Sequence, residues 1–228
     1  MYNNPQLVLS STATFFSGNI EAVFKKAKKY GFKYVEIIPY KWNTPEQILE
    51  FQKKYNVQIA GIHMPPQTAN PSGFLEKIFS YIWKFYLGDT EKNPGTLIAT
   101  ALKKQNPYVL IHADVQNKFP QDLHIVIENV PYNQKLPITD CKVFDHSHFK
   151  TAYKSSNAVE AYKKILPEII HIGYDYPPLF HILPHNKELN ELKTMLKIYK
   201  PKYMVIETNP LISIKRAKEM FENLLSTI

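Results

Sequence analysis

The chain of 228 residues is long enough to form one large domain with a buried core. Its 44% hydrophobic and 13% aromatic content exclude an intrinsically disordered protein. No apolar stretch approaches the roughly 18 residues that a membrane-spanning helix requires, and the sequence begins without a signal-peptide pattern. Cys141 is the only cysteine, which excludes an internal disulfide framework and disfavours a cysteine-based zinc site. These features predict a cytoplasmic protein with no membrane association.

The formal charge of +8 suits a polyanionic partner such as DNA. Nearly all of the positive charge comes from lysine, because Arg216 is the only arginine. Lysine acts as a point charge, whereas arginine makes the bidentate contacts of specific phosphate and base recognition. Charge alone therefore leaves two explanations open, which are attraction to nucleic acid and a compositional bias toward lysine.

The hydrophobic pattern predicts eight short strands separated mostly by helices. The predicted strands cover residues 6–11, 34–39, 58–64, 108–113, 124–130, 142–144, 168–172 and 203–208. The predicted helices cover residues 21–30, a segment that begins with Thr44-Pro45-Glu46-Gln47, and residues 70–87, 96–104, 157–165, 187–199 and 213–225. This alternation predicts an α/β fold, a (β/α)8 TIM barrel made by a single domain over residues 1–228. The connections after the fourth and fifth strands are short, so we expect reduced helices there.

An open, doubly wound sheet is the alternative architecture. No glycine-rich phosphate loop follows the first strand, and the whole chain has only seven glycines. A dinucleotide-binding fold is therefore disfavoured.

Six of the apolar runs end in a side chain that can bind a metal ion. These residues are His63, His112, Glu128, Asp145, His171 and Glu207, and His148 follows three residues after Asp145. The C-terminal ends of parallel barrel strands meet on one face, where such folds keep their chemistry. Imidazole and carboxylate ligands suit zinc, manganese or iron. The sequence therefore predicts a divalent metal site on this face.

The segment after the seventh strand carries two further histidines, His181 and His185. Because it contains two prolines and no helical period, we expect a long ordered loop on the same face as the metal site. Loops at this rim of a barrel commonly carry function.

The ligand motifs together resemble those of a known superfamily over most of the chain, from about Gly18 to Pro210. The motifs are Ile-His63-Met-Pro, Ile-His112-Ala-Asp, Ile-Glu128-Asn, Phe-Asp145-His-Ser-His148, His171-Ile-Gly, His181-Ile-Leu-Pro and Ile-Glu207-Thr. They resemble the xylose isomerase-like barrels, which include endonuclease IV-type abasic-site nucleases and sugar isomerases or epimerases.

In endonuclease IV-like enzymes, nine ligands hold three zinc ions. The resemblance assigns the first ion to His63, His112 and Glu128. It assigns the second ion to Glu128, Asp145, His171 and Glu207. It implies two zinc ions here, with manganese as the alternative metal, and DNA with abasic or damaged sites as the partner.

A third ion would be held by His148 and His181 together with an aspartate two residues before His181. Leu179 stands at that position, so the third site lacks its carboxylate. Asp175 lies nearby in the sequence and is the candidate to replace it. The sequence leaves open whether the chain holds two ions or three.

Sugar isomerases and epimerases of the same superfamily need one ion, held by the residues that match Glu128, Asp145, His171 and Glu207. There the two glutamates transfer a proton at the substrate carbon while the ion polarises its oxygens. The chain has all four residues but lacks the arginine that many epimerases carry after the strand-seven histidine. A small sugar is therefore the alternative substrate.

His63 and His112 favour the nuclease, because a one-ion sugar enzyme does not need them. We therefore expect a metal-dependent phosphodiesterase in which Glu128 and Glu207 are catalytic. A barrel that binds metal or a polyanion without turnover is the third hypothesis, prompted by Leu179.

Other polar and aromatic residues have simpler expected roles. His124 begins a strand at the opposite end of the barrel and is expected to be structural. His146 and His185 are expected to face solvent or to surround the ligands. Tyr40, Trp42 and Tyr132 are candidates for insertion into DNA, and packing is their alternative role.

Overall fold

The computed structural model describes residues 4–65, 81, 84–88, 93–111, 120, 122–128, 141–152, 157–176 and 179–228. The strands are β1 (Gln6–Ser10), β2 (Tyr34–Ile37), β3 (Gln58–His63), β4 (Tyr108–Ile111), β5 (His124–Ile127), β6 (Val143–Asp145), β7 (Ile169–Ile172), β8 (Tyr174–Tyr176), β9 (Leu179–Ile182) and β10 (Tyr203–Ile206). The α-helices are α1 (Glu21–Lys29), α2 (Pro45–Tyr55), α3 (Gly95–Ala101), α4 (His146–Ala152), α5 (Ala158–Ile165), α6 (Asn186–Ile198) and α7 (Ile214–Ser226).

Eight of these strands form one parallel sheet. Their order is β5, β4, β3, β2, β1, β10, β7 and β6. A parallel bridge between Glu128 and Val143 connects the two edge strands, β5 and β6. The sheet is therefore a nearly closed barrel, and the predicted α/β (β/α)8 fold is confirmed.

The predicted bounds of the barrel strands agree with the structure to within two residues wherever those residues are described. The helix expected over residues 96–104 is α3 followed by a short 3-10 turn, Lys103–Gln105. Of the helix expected over residues 70–87, the structure describes residues 81 and 84–87, and it shows all of them as helical. The reduced helices expected after the fourth and fifth strands fall largely on 112–119 and 129–140, which lie outside the described residues.

Side chains alternate between the two faces of each barrel strand. Outward side chains such as Val35, Val109 and Ile170 join the helices in the larger core cluster. Inward side chains such as Val8, Leu110 and Val205 form a second cluster inside the barrel. Strand residues two apart share a face. Every second residue therefore points into the barrel, up to the C-terminal end of each strand.

The helix that follows β2 begins as its sequence predicts. Thr44 accepts a hydrogen bond from the backbone N–H of Gln47, and the Gln47 side chain accepts one from the backbone N–H of Thr44. This reciprocal pair, with Pro45 in the first turn, satisfies N–H groups that a helix start leaves exposed. In the described part of the chain, no helix is both long and apolar enough to cross a membrane.

The expectation of a long loop after β7 was wrong. Strands β8 and β9 pair antiparallel there, with Tyr174 opposite Ile182 and Tyr176 opposite Leu179. Aromatic and branched residues favour strands, and the two prolines fall between the strands in sequence. Their missing N–H groups therefore do not interrupt the ladder.

Candidate metal centre

The inward positions at the C-terminal ends of the strands bring seven ionisable side chains together. They are Glu36, His63, Glu128, Asp145, His148, His171 and Glu207. Four are supplied directly by strands β2, β3, β6 and β7, and the others follow β5, β6 and β10 by one to three residues. Strand alternation accounts for four of these positions, each of which lies two residues beyond an inward core residue: Glu128 after Val126, Asp145 after Val143, His171 after Ile169 and Glu207 after Val205. His148 lies instead in the first turn of α4, three residues after Asp145.

The first group of ligands contains Glu36, His63, His171 and Glu207. Each offers one atom, and these four atoms lie within 4.8 Å of one another. Nδ1 of His63 is 3.4 Å from Oε1 of Glu36 and 3.7 Å from Oε1 of Glu207. Two imidazoles and two carboxylates at this spacing form a donor set that suits a divalent ion such as zinc.

The second group contains Glu128, Asp145 and His148, again within 4.8 Å. Asp145 ends β6 and His148 lies in the first turn of α4, so the strand-to-helix junction holds both. The Asp145 carboxylate accepts a 2.7 Å hydrogen bond from the backbone N–H of His148. Nδ1 of His148 is 3.6 Å from Oδ2 of Asp145 and 3.8 Å from Oε2 of Glu128.

The two groups adjoin through His171. Its Nδ1 lies 3.2 Å from Oε1 of Glu128 and 3.4 Å from Oε1 of Glu207. The seven side chains therefore form one continuous ligand field in which His171 is central.

Glu36 is the member of this field that the sequence did not predict. It lies inside the apolar run Tyr-Val-Glu36-Ile-Ile and not at its end, so a search for strand-end ligands passes over it. Its side chain is fully buried. A lone carboxylate within a buried parallel strand needs a partner, and that was the available signal.

Tyr108 is a second residue that the sequence did not single out. Its hydroxyl donates a 2.7 Å hydrogen bond to Oε2 of Glu36. The ring crosses Gly61, which pairs in register with both Glu36 and Tyr108. A Cβ at Gly61 would lie 2.0 Å from the Tyr108 ring, so only glycine leaves room for this contact.

The carboxylates control the protonation of the histidines. Burial lowers the pKa of His63, but Glu207 and Glu36 outweigh this and raise it to about 10. Burial also lowers the pKa of His148, but Asp145 and Glu128 outweigh this effect and raise the pKa of that imidazole to about 10. The pKa of His171 is also raised, well above its ordinary value, against the effect of burial. In the metal-free protein at neutral pH, these three imidazoles are therefore protonated.

Carboxylate pKa values shift in both directions. Burial raises the pKa of Glu36, but His171 and His63 outweigh it and lower the value to about 2. At Asp145 burial dominates, and with Glu128 and Glu207 it raises the pKa to about 6 despite His148. Asp145 is therefore ionised at neutral pH, and this ionisation lowers the free energy of unfolding.

The donor set fits divalent metal ions. Oε1 of Glu36 and Nδ1 of His171 are buried, and among the described residues their closest polar contacts are ion pairs of 3.2–3.4 Å without hydrogen-bond geometry. The ligand field has four carboxylates and three imidazoles, so full protonation of the imidazoles leaves one net negative charge. Two divalent ions carry four positive charges and would balance the carboxylates with all three imidazoles neutral. Buried charges require such compensation.

Solved structures match the barrel over nearly its whole length, whereas no protein-family model and no curated protein matches the chain. A 3-keto-D-glucoside 4-epimerase from E. coli is 13% identical with a TM-score of 0.61, over 99% of this chain and 100% of its own. A xylose isomerase domain protein from Planctomyces limnophilus is 12% identical with a TM-score of 0.54, over 99% of both chains. An AP endonuclease of family 2 from Brucella melitensis is 12% identical with a TM-score of 0.53, over 96% and 98%.

The fold is that of the xylose isomerase-like TIM barrels. At this level of identity the likeness concerns the fold alone.

In this barrel, six of the eight predicted ligands lie together. They are His63, Glu128, Asp145, His148, His171 and Glu207. His112 lies outside the described residues. His181 is in β9, and its side chain, like those of Leu179 and Asp175, lies outside what the structure describes.

Of the two positions expected for His146, facing solvent or surrounding the ligands, the first was wrong. His146 begins α4 and is fully buried, where its Nδ1 hydrogen bonds the Tyr174 hydroxyl and its Nε2 lies 2.9 Å from Glu191. The strand end turns directly into a helix, which directs this side chain between the barrel and α6. His185 is exposed. His124 begins β5 and lies 3.4 Å from Glu168.

Proposed function

We propose that this xylose isomerase-like chain is a divalent-metal-dependent phosphodiesterase that cleaves DNA at abasic or damaged positions. The observation that carries the proposal is the position of His63 and His148. They lie beside the four residues that a one-ion sugar enzyme needs, which are Glu128, Asp145, His171 and Glu207. A site with these extra imidazoles suits more than one ion.

Zinc is the metal that we propose, with manganese as the alternative. When bound, a pair of divalent ions would activate water and stabilise the leaving oxygen of a phosphodiester. Glu128 and Glu207 place their Oε1 atoms 3.2 and 3.4 Å from the same nitrogen of His171. We assign these two carboxylates to orient the attacking water and to accept its proton.

A polyanionic partner is supported by the loop after β2, on the same end of the barrel as the ligands. Trp42 is 44% exposed there, and it stacks on Tyr40 at 5.3 Å with a 12° angle between the rings. Tyr40 is buried and donates a hydrogen bond to the backbone of Phe15, so it supplies packing. Tyr40 therefore holds the Trp42 ring in a fixed orientation, and an exposed ring held in this way suits stacking on a nucleobase. Tyr132 lies outside the described residues.

A sugar or sugar-phosphate isomerase or epimerase is the second candidate function. It is favoured by the closeness of Glu128 and Glu207 to one histidine, since two carboxylates around one ion could transfer a proton between them. Under this alternative, one ion would suffice and Glu36 and His63 would have supporting roles.

Cleavage of an abasic-site duplex by the zinc-loaded protein tests the proposal. We expect Glu207→Gln to reduce the rate by about 100-fold or more, because the amide cannot accept a proton. Glu219→Gln is the matched control. That residue is exposed on α7 and pairs with Lys215 at 3.7 Å, so its loss should leave the rate unchanged.

An intact duplex, together with proton exchange on ketoses by the same preparation, would contradict the proposal and support the isomerase. Equal loss of rate in both variants would assign the effect to folding and remove Glu207 from the catalytic role.

A further inference from the structure

Glu36 contacts three groups within the barrel. Its Oε2 accepts the hydrogen bond from the Tyr108 hydroxyl and lies 3.1 Å from Nε2 of His171. Its Oε1 lies 3.4 Å from Nδ1 of His63. Glu36 therefore contacts two of the proposed metal ligands and is held by a hydrogen bond from a tyrosine.

The two ring nitrogens of His171 face different carboxylates. Nε2 faces Glu36, whereas Nδ1 faces Glu128 and Glu207 at 3.2 and 3.4 Å. A neutral imidazole has one N–H and one lone pair, and the hydrogen bond of the first nitrogen decides which atom can bind metal. When metal replaces the proton on Nδ1, Glu36 remains the acceptor for the N–H of Nε2, and the lone pair of Nδ1 faces the metal side, where Glu128 and Glu207 lie.

The barrel is built to hold this acceptor in place. Glu36, Gly61 and Tyr108 are register neighbours across β2, β3 and β4. Because Gly61 has no side chain, the Tyr108 ring can lie across β3 and reach Glu36. The Tyr108 hydroxyl donates a hydrogen bond to the same oxygen that faces His171, which favours the ionised form of that carboxylate.

We propose that Glu36 is a positioning residue for the metal centre. Anchored by Tyr108, it holds His171 with its proton on Nε2, so that Nδ1 is the atom that binds metal. This inference rests on the proposed metal-dependent function. The competing assignment is that Glu36 itself binds an ion, since it belongs to the first ligand group.

Zinc binding by three variants tests the inference. Glu36→Gln removes the charge and keeps the shape, and Tyr108→Phe removes only the hydroxyl. Tyr203→Phe is the matched control, because its ring packs 5.8 Å from that of Tyr108 in the same cluster. Zinc affinity is measured by competition with a chromophoric chelator, zinc content by elemental analysis, and the His171 tautomer by ¹⁵N NMR of histidine-labelled, zinc-loaded protein.

We expect Glu36→Gln to bind zinc about 10–100-fold more weakly while holding the same number of ions at saturation. Tyr108→Phe should weaken binding in the same direction by less, and Tyr203→Phe should bind as the wild type does. In the wild type, the His171 spectrum should show a proton on Nε2 and metal on Nδ1. In Glu36→Gln the Nε2 proton should exchange faster with water.

One fewer zinc ion in saturated Glu36→Gln would overturn the inference and make Glu36 a ligand. A wild-type spectrum with the proton on Nδ1 would also overturn it, as would unchanged affinity in both Glu36→Gln and Tyr108→Phe. Failure of the wild type to bind zinc would overturn the proposed function as well, which distinguishes the two failures.

Discussion

At the scale of single residues, His63 and His148 show how buried carboxylates keep an imidazole protonated in the metal-free protein. Each has its pKa raised to about 10, although burial acts in the opposite direction. A ligating imidazole must be neutral. Metal therefore has to displace the protons that the carboxylates hold in the metal-free state.

We predict that zinc binding at pH 7.5 releases more than one proton per chain. Three histidines with the ordinary pKa of about 6.5 would together release only about 0.3 proton at this pH, whereas three with raised pKa values would release up to three. Calorimetric titration in buffers of different ionisation enthalpy measures the number. Release of less than about half a proton would contradict the raised pKa values.

The charge on Asp145 lowers the stability of the metal-free fold, whereas the charges on the histidines raise it. The pKa of Asp145 is raised to about 6, so the folded state binds the proton more tightly than the unfolded chain does, and ionisation above pH 4 destabilises the fold. The neutral variant Asp145→Asn should therefore unfold at a higher temperature than the wild type in metal-free buffer at pH 7.5, while taking up less zinc. Thermal unfolding and elemental analysis check the two effects. A lower unfolding temperature for this variant would contradict the assignment.

Most of these residues could be predicted from the sequence because they lie at the ends of apolar strands, at positions that alternation directs into the barrel. Glu128 and Glu207 directly follow apolar strands, and their inward direction could be derived from Val126 and Val205 two residues earlier. Glu36 was missed since two isoleucines follow it and conceal the end of the strand. The Tyr108 contact could not be predicted, because it joins strands whose relative register only the folded barrel defines.

At the scale of elements, strands β2, β3 and β4 depend on one glycine. A Cβ at Gly61 would lie 2.0 Å from the Tyr108 ring, so the ring or the strand would have to move. We predict that Gly61→Ala lowers the free energy of unfolding by about 1–3 kcal/mol, as overpacking of a core does. It should also weaken zinc binding, because the Tyr108 hydroxyl leaves Glu36. Urea denaturation measures the stability.

The matched control for this prediction is the same change without the ring. In a Tyr108→Ala background, Gly61→Ala should cost much less, because the clashing atoms are gone. An equal cost in both backgrounds would show that the strand backbone, and not the tyrosine, requires glycine at this position.

The β8–β9 hairpin shows where sequence patterns mislead at this scale. Two prolines indicated a loop, yet the residues on either side of them pair as strands. The hairpin also buries His146 through Tyr174, a contact between segments 28 residues apart that no local pattern carries.

At the scale of the whole molecule, the ligand field links stability to pH. His63 and His148 have pKa values of about 10 in the fold and an ordinary value near 6.5 when unfolded. Their contribution to stability is fully present below pH 6.5 and is lost as the pH rises through 10. We predict that the metal-free protein loses more stability between pH 7 and pH 10 than the zinc-loaded protein, whose imidazoles are already neutral. Thermal unfolding of both forms across this range checks the difference, and parallel curves would contradict it.

The fold is that of a TIM barrel, and the number of bound metal ions distinguishes the two candidate functions. Metal-free protein equilibrated with excess zinc, freed of unbound metal and subjected to elemental analysis gives that number directly. The two adjoining ligand groups predict at least two zinc ions per chain. A single ion would contradict the phosphodiesterase and favour the isomerase, and no bound ion would contradict the metal centre itself.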